Sequence, residues 1–249
     1  MYPLRKGAQL LVQMPRQLLT VDFVRYVLCL CRYAWLSRLG RRMRVMEPLP
    51  PGVARNTIMH NLKGVRDLAA PRSHRLIRPL VAIDRVRDRQ KEKRVLTVGP
   101  RVEGELFNLM GYGFSRHNIR GLDLITYSPF VDLGDMHAMP YEDSTFDVII
   151  LGWVLAYSDD KKAAAREVIR VAKPGAVIAI GVSWDPMPRE EAIEKVGYLP
   201  GSEVRIQSTA DLLAFFDGHV GGVYFTLDPE PVTAHKVSGI VTIFRLEKP

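Results

Sequence analysis

From residue 94 onward, short apolar runs alternate with segments of helical spacing, and this alternation limits the possible folds more than any other feature. The runs 95–98, 119–124, 146–151 and 176–182 predict strands, and 104–109 and 161–171 predict helices between some of them. Branched apolar strands alternating with helices pack as a mostly parallel sheet with helices on its faces. In such sheets, ligands bind beyond the carboxyl ends of the strands, where the strand order reverses. Further along, 208–216 predicts a helix opened by a Ser or Thr cap, and 220–227 with 237–246 predict a closing pair of strands.

Four pieces of sequence converge on those strand ends. The stretch VLTVGPRVEGE (95–105) reads as a buried strand running into a glycine turn. Gly99 and Gly104 let backbone turn closely around a ligand, and the helix that follows points its N-terminus at the same place. Asp123 closes the next strand 19 residues after Gly104, where a carboxylate accepts hydrogen bonds from both hydroxyls of a ribose. The loop Gly134-Asp135-Met136-His137-Ala138-Met139-Pro140-Tyr141 offers an acidic residue and a backbone amide, a pair able to read the amino edge of an adenine. Gly152-Trp153, after the strand DVIIL, leaves space and an aromatic wall at a pocket mouth. Taken singly, each piece has an ordinary structural alternative: a tight turn, an N-cap, a strand end. Their order and spacing argue for a site.

With these residues in view, the chain resembles the class I S-adenosylmethionine-dependent methyltransferases, small-molecule branch. The resemblance is carried by VLTVGPRVEGE, GLDL (121–124), GDMHAMPYEDSTFDVIILGWVLAY (134–157) and REVIRVAKPGAVIAIG (166–181), and it covers about 94–183. It implies a Rossmann-like, mostly parallel seven-stranded sheet with an antiparallel closing strand, carrying a helical N-terminal extension. It also implies S-adenosylmethionine as cofactor. Gly99, Pro100, Arg101, Glu103 and Gly104 would wrap its methionine portion. Asp123, with Leu124 beside it, would hold the ribose. Asp135 would accept from the adenine amino group, with Met136 against the base. Gly152 and Trp153 would line the passage from sulfonium to acceptor. Three departures from the family pattern stand out. Thr97 replaces the acidic residue two before the first glycine, and Glu103 or Glu105 is the available substitute. The glycine-rich turn has become GPRVEG. The connection 123–131 is too short for a crossover helix.

The net charge of +8 conceals an asymmetry: residues 1–93 hold 20 Lys and Arg against 6 Asp and Glu, and 94–249 hold 15 against 21. The charge divides the chain into a basic N-terminal extension, 1–93, expected to be helical, and a mildly acidic body, 94–249, which the resemblance implies is the methyltransferase domain. A basic arm of this kind seeks an anionic partner. The stretch 17–37 is the one candidate for a membrane span, but Asp22, Arg25 and Arg32 interrupt it and make spanning expensive. Their spacing puts all three on one helix face. Two placements follow: a helix packed on the body with a solvated basic face, or a helix lying in an anionic membrane interface with Trp35 and Arg38, Arg41, Arg42 and Arg44 at its edge. Few aromatics interleave the charges, which argues against nucleic acid as partner. Prolines at 48–51 break the arm, and 56–62 and 73–86 predict further helices. Cys29 and Cys31 form neither a relaxed disulfide nor a zinc site and read as reduced apolar fillers.

The expected activity is methyl transfer to oxygen or nitrogen of a small-molecule, sugar or membrane-associated acceptor, including a lipid-linked one. The expected location is cytoplasmic or peripheral at the inner face of the membrane. No general base is evident: His137 is the candidate, since histidine titrates near neutral pH. In-line transfer from a sulfonium needs positioning and exclusion of water more than it needs a base. Two alternatives stay open, a non-catalytic relative that binds a nucleoside or a protein, and an RNA methyltransferase. The sequence leaves the oligomeric state undetermined.

Overall fold

A computed structural model describes residues 16–47, 74–184, 190–191, 194, 205–230 and 238–248. In chain order the elements are α1 (Asp22–Tyr33), continued by a wider helical turn Ala34–Leu39; β1 (Arg44–Val45); α2 (His74–Ala82); α3 (Asp84–Arg87); β2 (Val95–Val98); α4 (Gly104–Tyr112); β3 (Ile119–Asp123); β4 (Ile125–Thr126); and β5 (Val131–Leu133). These are followed by β6 (Phe146–Gly152), α5 (Lys161–Val171), β7 (Ala172–Trp184), α6 (Thr209–Ala214), β8 (Val220–Leu227) and β9 (Ser238–Leu246). The helix expected at 56–62 lies outside the described residues.

Seven strands form one sheet in the order β5-β3-β2-β6-β7-β9-β8. Pairings β3–β5, β2–β3, β2–β6 and β6–β7 are parallel, and β9 runs antiparallel between β7 and β8. This is the seven-stranded, mostly parallel sheet with an antiparallel closing strand that the sequence implied. The chain leaves β2 toward β3 on one side and returns to β6 on the other, so the strand order reverses at β2. The register aligns the strand ends: Val98 lies opposite Leu122 on one neighbour and Leu151 on the other. One residue further along each strand stand Gly99, Asp123 and Gly152, three of the candidate site residues.

Alternation along β2 divides its side chains between two cores. Leu96 and Val98 join Ala164, Ala165 and Val168 of α5 and Leu212 of α6. On the opposite face, Val95 joins Leu106 and Leu109 of α4, Leu76, Ile77 and Leu80 of α2, and Cys29 of α1. The N-terminal helices thus share the core of the sheet. Leu76, Ile77 and Leu80 are fully buried, and three such side chains contribute roughly 5–9 kcal/mol. The expected helix at 73–86 is interrupted at Ile83, whose extended ψ of 123° separates α2 from α3.

The short 123–131 connection holds no helix. Ile125–Thr126 instead pairs antiparallel with Arg44–Val45, tying the end of the N-terminal segment to the edge of the candidate site. The Lys173-Pro174-Gly175 turn enters β7 through a register shift, and Arg85 Nε donates to the Gly175 carbonyl at 2.8 Å. Ser208 and Asp211 form a reciprocal capping box on α6.

Helix α1 is turned opposite to the solvated-basic-face arrangement. Arg25, Cys29 and Leu36 face inward, Arg32 reaches inward to Glu103, and Phe23, Tyr26, Val27 and Leu30 face out. The Cys29 thiol is pushed up to about 12, first by burial and then by the Glu103 charge, consistent with an inert filler. Among the described residues no helix is long and apolar enough to cross a membrane.

Candidate active site

Strand β2 ends in a turn whose backbone only glycine accommodates. Gly99 has φ +68°, and a Cβ there would lie 2.0 Å from Val154 Cγ1. Its N–H donates to the Leu122 carbonyl at 2.7 Å, fastening the turn to β3. Pro100 is buried beside Gly121, and the Val102 N–H closes back on the Pro100 carbonyl. Arg101 adopts φ +52° and Trp153, at the end of β6, adopts φ +60°. Left-handed non-glycine residues at two neighbouring strand ends are backbone strain of the kind that collects at functional sites.

The strained backbone at Arg101 aims an amide at the neighbouring strand end, where the Arg101 N–H donates to Asp123 Oδ2 at 2.8 Å. Asp123 Oδ1 accepts from the Ile125 N–H at 3.3 Å. Burial drives the Asp123 pKa up to about 6, and the backbone donors of Arg101 and Ile125 pull the other way. A buried carboxylate satisfied by two amides keeps lone pairs for two further donors. The Asp123 carbonyl accepts from Gly134 N–H at 3.0 Å, which joins this carboxylate to the next loop. Leu124, half-buried, accepts from the Met46 N–H at 2.8 Å through its carbonyl.

In that loop Asp135 Oδ1 receives both the His137 N–H at 3.2 Å and the His137 Nδ1 at 2.7 Å. His137 Nε2 lies 2.7 Å from Ser158 Oγ. The candidate base is therefore engaged at both ring nitrogens, with Asp135 on one side and a fully buried serine on the other. In this arrangement it positions Asp135, holding Oδ1 while Oδ2 takes part in neither contact. Met136 is half-buried against the core on the α5 side of the sheet.

Two residues outside the sequence-derived candidates fix the loop. Arg170 on α5 donates to the carbonyls of Met139 and Tyr141 at 2.9 and 2.7 Å, and pairs with Glu167 and Asp143. Glu167 in turn accepts the Met139 N–H at 2.7 Å. The Arg170 hydrogen bond lowers the Glu167 pKa, and the hydrogen bonds to Glu167 and Asp143 raise that of Arg170. The signal is present in REVIR, an i,i+3 acid–base pair at the start of a motif that otherwise speaks only through its helix end.

Gly152 is buried and pairs with Gly181 of β7. Trp153 donates its N–H to the Gly181 carbonyl at 2.8 Å, and its ring lies over the small surface left by Gly181 and Gly239. Glu103 departs from its expected place on the cofactor. Its carboxylate accepts from Arg32 Nε at 2.6 Å, Arg32 Nη2 at 2.8 Å and Ser128 Oγ, so it belongs to the junction with α1. Thr97 keeps a buried hydroxyl with no hydrogen-bond partner among the described residues.

The donor set fits the adenosine half of S-adenosylmethionine: a strand-end carboxylate with spare lone pairs, a second buried carboxylate in the adjoining loop, and a glycine turn between them. The methionine end has Thr97 where the family pattern places an acid, and Val154 packed onto Gly99.

Residues 112–180 match the family model described as a methyltransferase domain. Norajmaline N-methyltransferase of Rauvolfia serpentina is 45% identical over 49 residues, 20% of this chain and 17% of that one. Demethylmenaquinone methyltransferase of Desulfitobacterium hafniense (strain Y51) is 30% identical over 92 residues, covering 34% and 36%. The chain thus spans about a third or less of the length of these curated relatives. The [4+2]-cyclase SpnF superposes with a TM-score of 0.51 at 16% identity, covering 83% of this chain and all of that one. A putative methyltransferase solved in complex with the Haloferax volcanii Trm112 activator does so with a TM-score of 0.51 at 15% identity, covering 79% and 98%. Strand order and these superpositions show the fold shared by class I methyltransferases, and the segment 112–180 carries the match to a methyltransferase domain.

Proposed function

We propose that the protein binds S-adenosylmethionine at the ends of β2, β3 and β6 and methylates nitrogen or oxygen of a small or lipid-linked acceptor. The observation that carries this reading is Asp123. A carboxylate held buried by a strained loop costs stability, and that cost has a use if the group receives the hydroxyls of a ribose. When bound, the cofactor supplies a methyl group on an electrophilic sulfonium. Asp123 accepts from the ribose, Asp135 Oδ2 accepts from the adenine amino group, and His137 orients Asp135 through Oδ1. The 99–104 turn and the N-terminus of α4 face the rest. Gly152 and Trp153 border the acceptor side, where the wall excludes water. An acceptor held in line there would take the methyl group as the carbon–sulfur bond breaks and its electron pair returns to sulfur, and the acceptor's proton would pass to solvent.

The nitrogen alternative draws support from norajmaline N-methyltransferase, although that match covers only 49 residues. A second reading, a relative that binds a nucleoside without transferring methyl, draws on Thr97, on Val154 over Gly99, and on a cyclase that shares the fold. The test is incubation with methyl-labelled cofactor and fractionated cell lipids, sugars and amines. Label in an N- or O-methyl product supports transfer. Cofactor binding without label in any fraction favours the second reading.

A further inference from the structure

We infer that the outward face of α1 is a docking surface for an anionic lipid bilayer. The helix shows large apolar side chains to solvent while it buries two of its arginines at least in part. Its inward face carries charge beside Cys29 and Leu36: Arg25 is 2% exposed, donating to the Leu19 carbonyl and to Asn108, and Arg32 pairs with the buried Glu103. Its outward face is apolar: Phe23 is 73% exposed, Trp35 65% and Leu39 74%, with Val27 and Leu30 between them. Positions 23, 27 and 30 follow one helical stripe, which 35 and 39 extend. A contiguous apolar patch of this kind on water marks an interaction site.

Charge selects the occupant. Arg38, Arg41, Arg42 and Arg44 lie at the end of the stripe, and none is ion-paired among the described residues. The only acids between 16 and 47 are Asp22, which is paired with Arg25, and Glu47. An apolar protein partner would leave the four guanidinium groups unmatched. An anionic bilayer matches both halves of the surface: acyl chains against Phe23, Val27 and Leu30, Trp35 at the headgroup level, and phosphates against the arginines.

The surface is rigidly joined to the site. Leu19 and Thr20 backbone atoms stand 2.9 Å from where a Cβ on Gly111 would be, and Cys29 Sγ lies 3.7 Å from the same point on Gly104. Gly104, Asn108 and Gly111 thus form one face of α4 that α1 and the turn before it fill. A docked α1 would hold the helix that opens the cofactor turn at the membrane, and this placement does not depend on which reaction the site performs.

The experiment is co-sedimentation of the full chain with phosphatidylcholine vesicles, with and without phosphatidylglycerol, read together with quenching of Trp35 by lipid-depth probes against a Trp35→Phe control. Binding is expected to require phosphatidylglycerol and to weaken with salt. The triple variant Arg38→Gln/Arg41→Gln/Arg42→Gln is expected to bind roughly a hundredfold more weakly. Phe23→Ser/Leu39→Ser is expected to weaken binding and remove Trp35 quenching. All five positions are exposed, so these variants keep the fold, which far-ultraviolet circular dichroism checks. Equal binding to neutral vesicles, no binding at all, or binding that either variant leaves unchanged would overturn the inference. A lipid-free dimer dissociated by Phe23→Ser/Leu39→Ser, or Trp35 shielded from aqueous quencher without lipid, would overturn it too and assign the face to a second copy or to another segment of the chain.

Discussion

The junction between α1 and the cofactor turn contains one ion pair, Arg32–Glu103, and its removal gives a sharp energetic expectation. Glu103 has no solvent exposure and accepts two hydrogen bonds from Arg32, whose side chain is 31% exposed. Arg32 also lies 5.7 and 5.4 Å from the ring centroids of Phe107 and Phe130. Removing one partner of a fully buried pair costs about 3–5 kcal/mol, because the other charge is left without compensation. Water reaches Arg32, so the loss for Arg32→Met is discounted to about 2–3 kcal/mol. Glu103→Gln leaves a half-exposed guanidinium that rehydrates, at about 1–2 kcal/mol. The double variant strands neither charge and is expected to be no less stable than Arg32→Met alone, a coupling of about 1–2 kcal/mol. Urea denaturation of the four proteins measures this cycle. Additive losses, or single variants within about 0.5 kcal/mol of the parent, would refute the reasoning.

Three further outcomes are expected. Asp123 holds its proton more tightly folded than unfolded, so its contribution to stability falls as pH rises from 3.8 to about 6. Cofactor affinity should run the other way, declining below pH about 6, and Asp123→Asn should abolish that pH dependence while stabilising the unliganded protein at neutral pH; titrations at several pH values read both effects. Gly99→Ala places a Cβ against Val154 on a left-handed backbone and should cost about 2–4 kcal/mol, partly restored by Val154→Ala, as measured by thermal melting. Arg170→Leu releases two carbonyls of the loop that carries Asp135 and should cost about 1–2 kcal/mol, with faster hydrogen exchange confined to 134–145.

Much of this molecule is legible in its sequence. The strands 95–98 and 220–227 and the helix 161–171 fall where the apolar pattern places them, and Asp160 caps the helix. The trimmed 123–131 connection is legible from its length alone. The facing of α1 is not. A helical wheel groups Asp22, Arg25 and Arg32, but only tertiary contact with Asn108 and Glu103 says that this group turns inward. Glu103 is misplaced by sequence for the same reason: a carboxylate in a glycine turn has two neighbours, the ligand and the arm, and sequence spacing does not rank them. His137 looks like a base because its type titrates near neutrality, whereas its place between Asp135 and Ser158 is a matter of distances across 21 residues. Arg170 escapes a sequence reading because the carbonyls it holds carry no side-chain signature.

Whether the ends of β2, β3 and β6 hold S-adenosylmethionine despite Thr97 and the altered turn is the point on which the proposed function stands. Calorimetric titration of the folded protein with S-adenosylmethionine and with its demethylated product, repeated with Asp123→Ala, tests it most directly. The expected result is micromolar binding of at least one of the two, lost in Asp123→Ala without loss of fold. No binding to the folded parent, or binding that Asp123→Ala leaves unchanged, would contradict it.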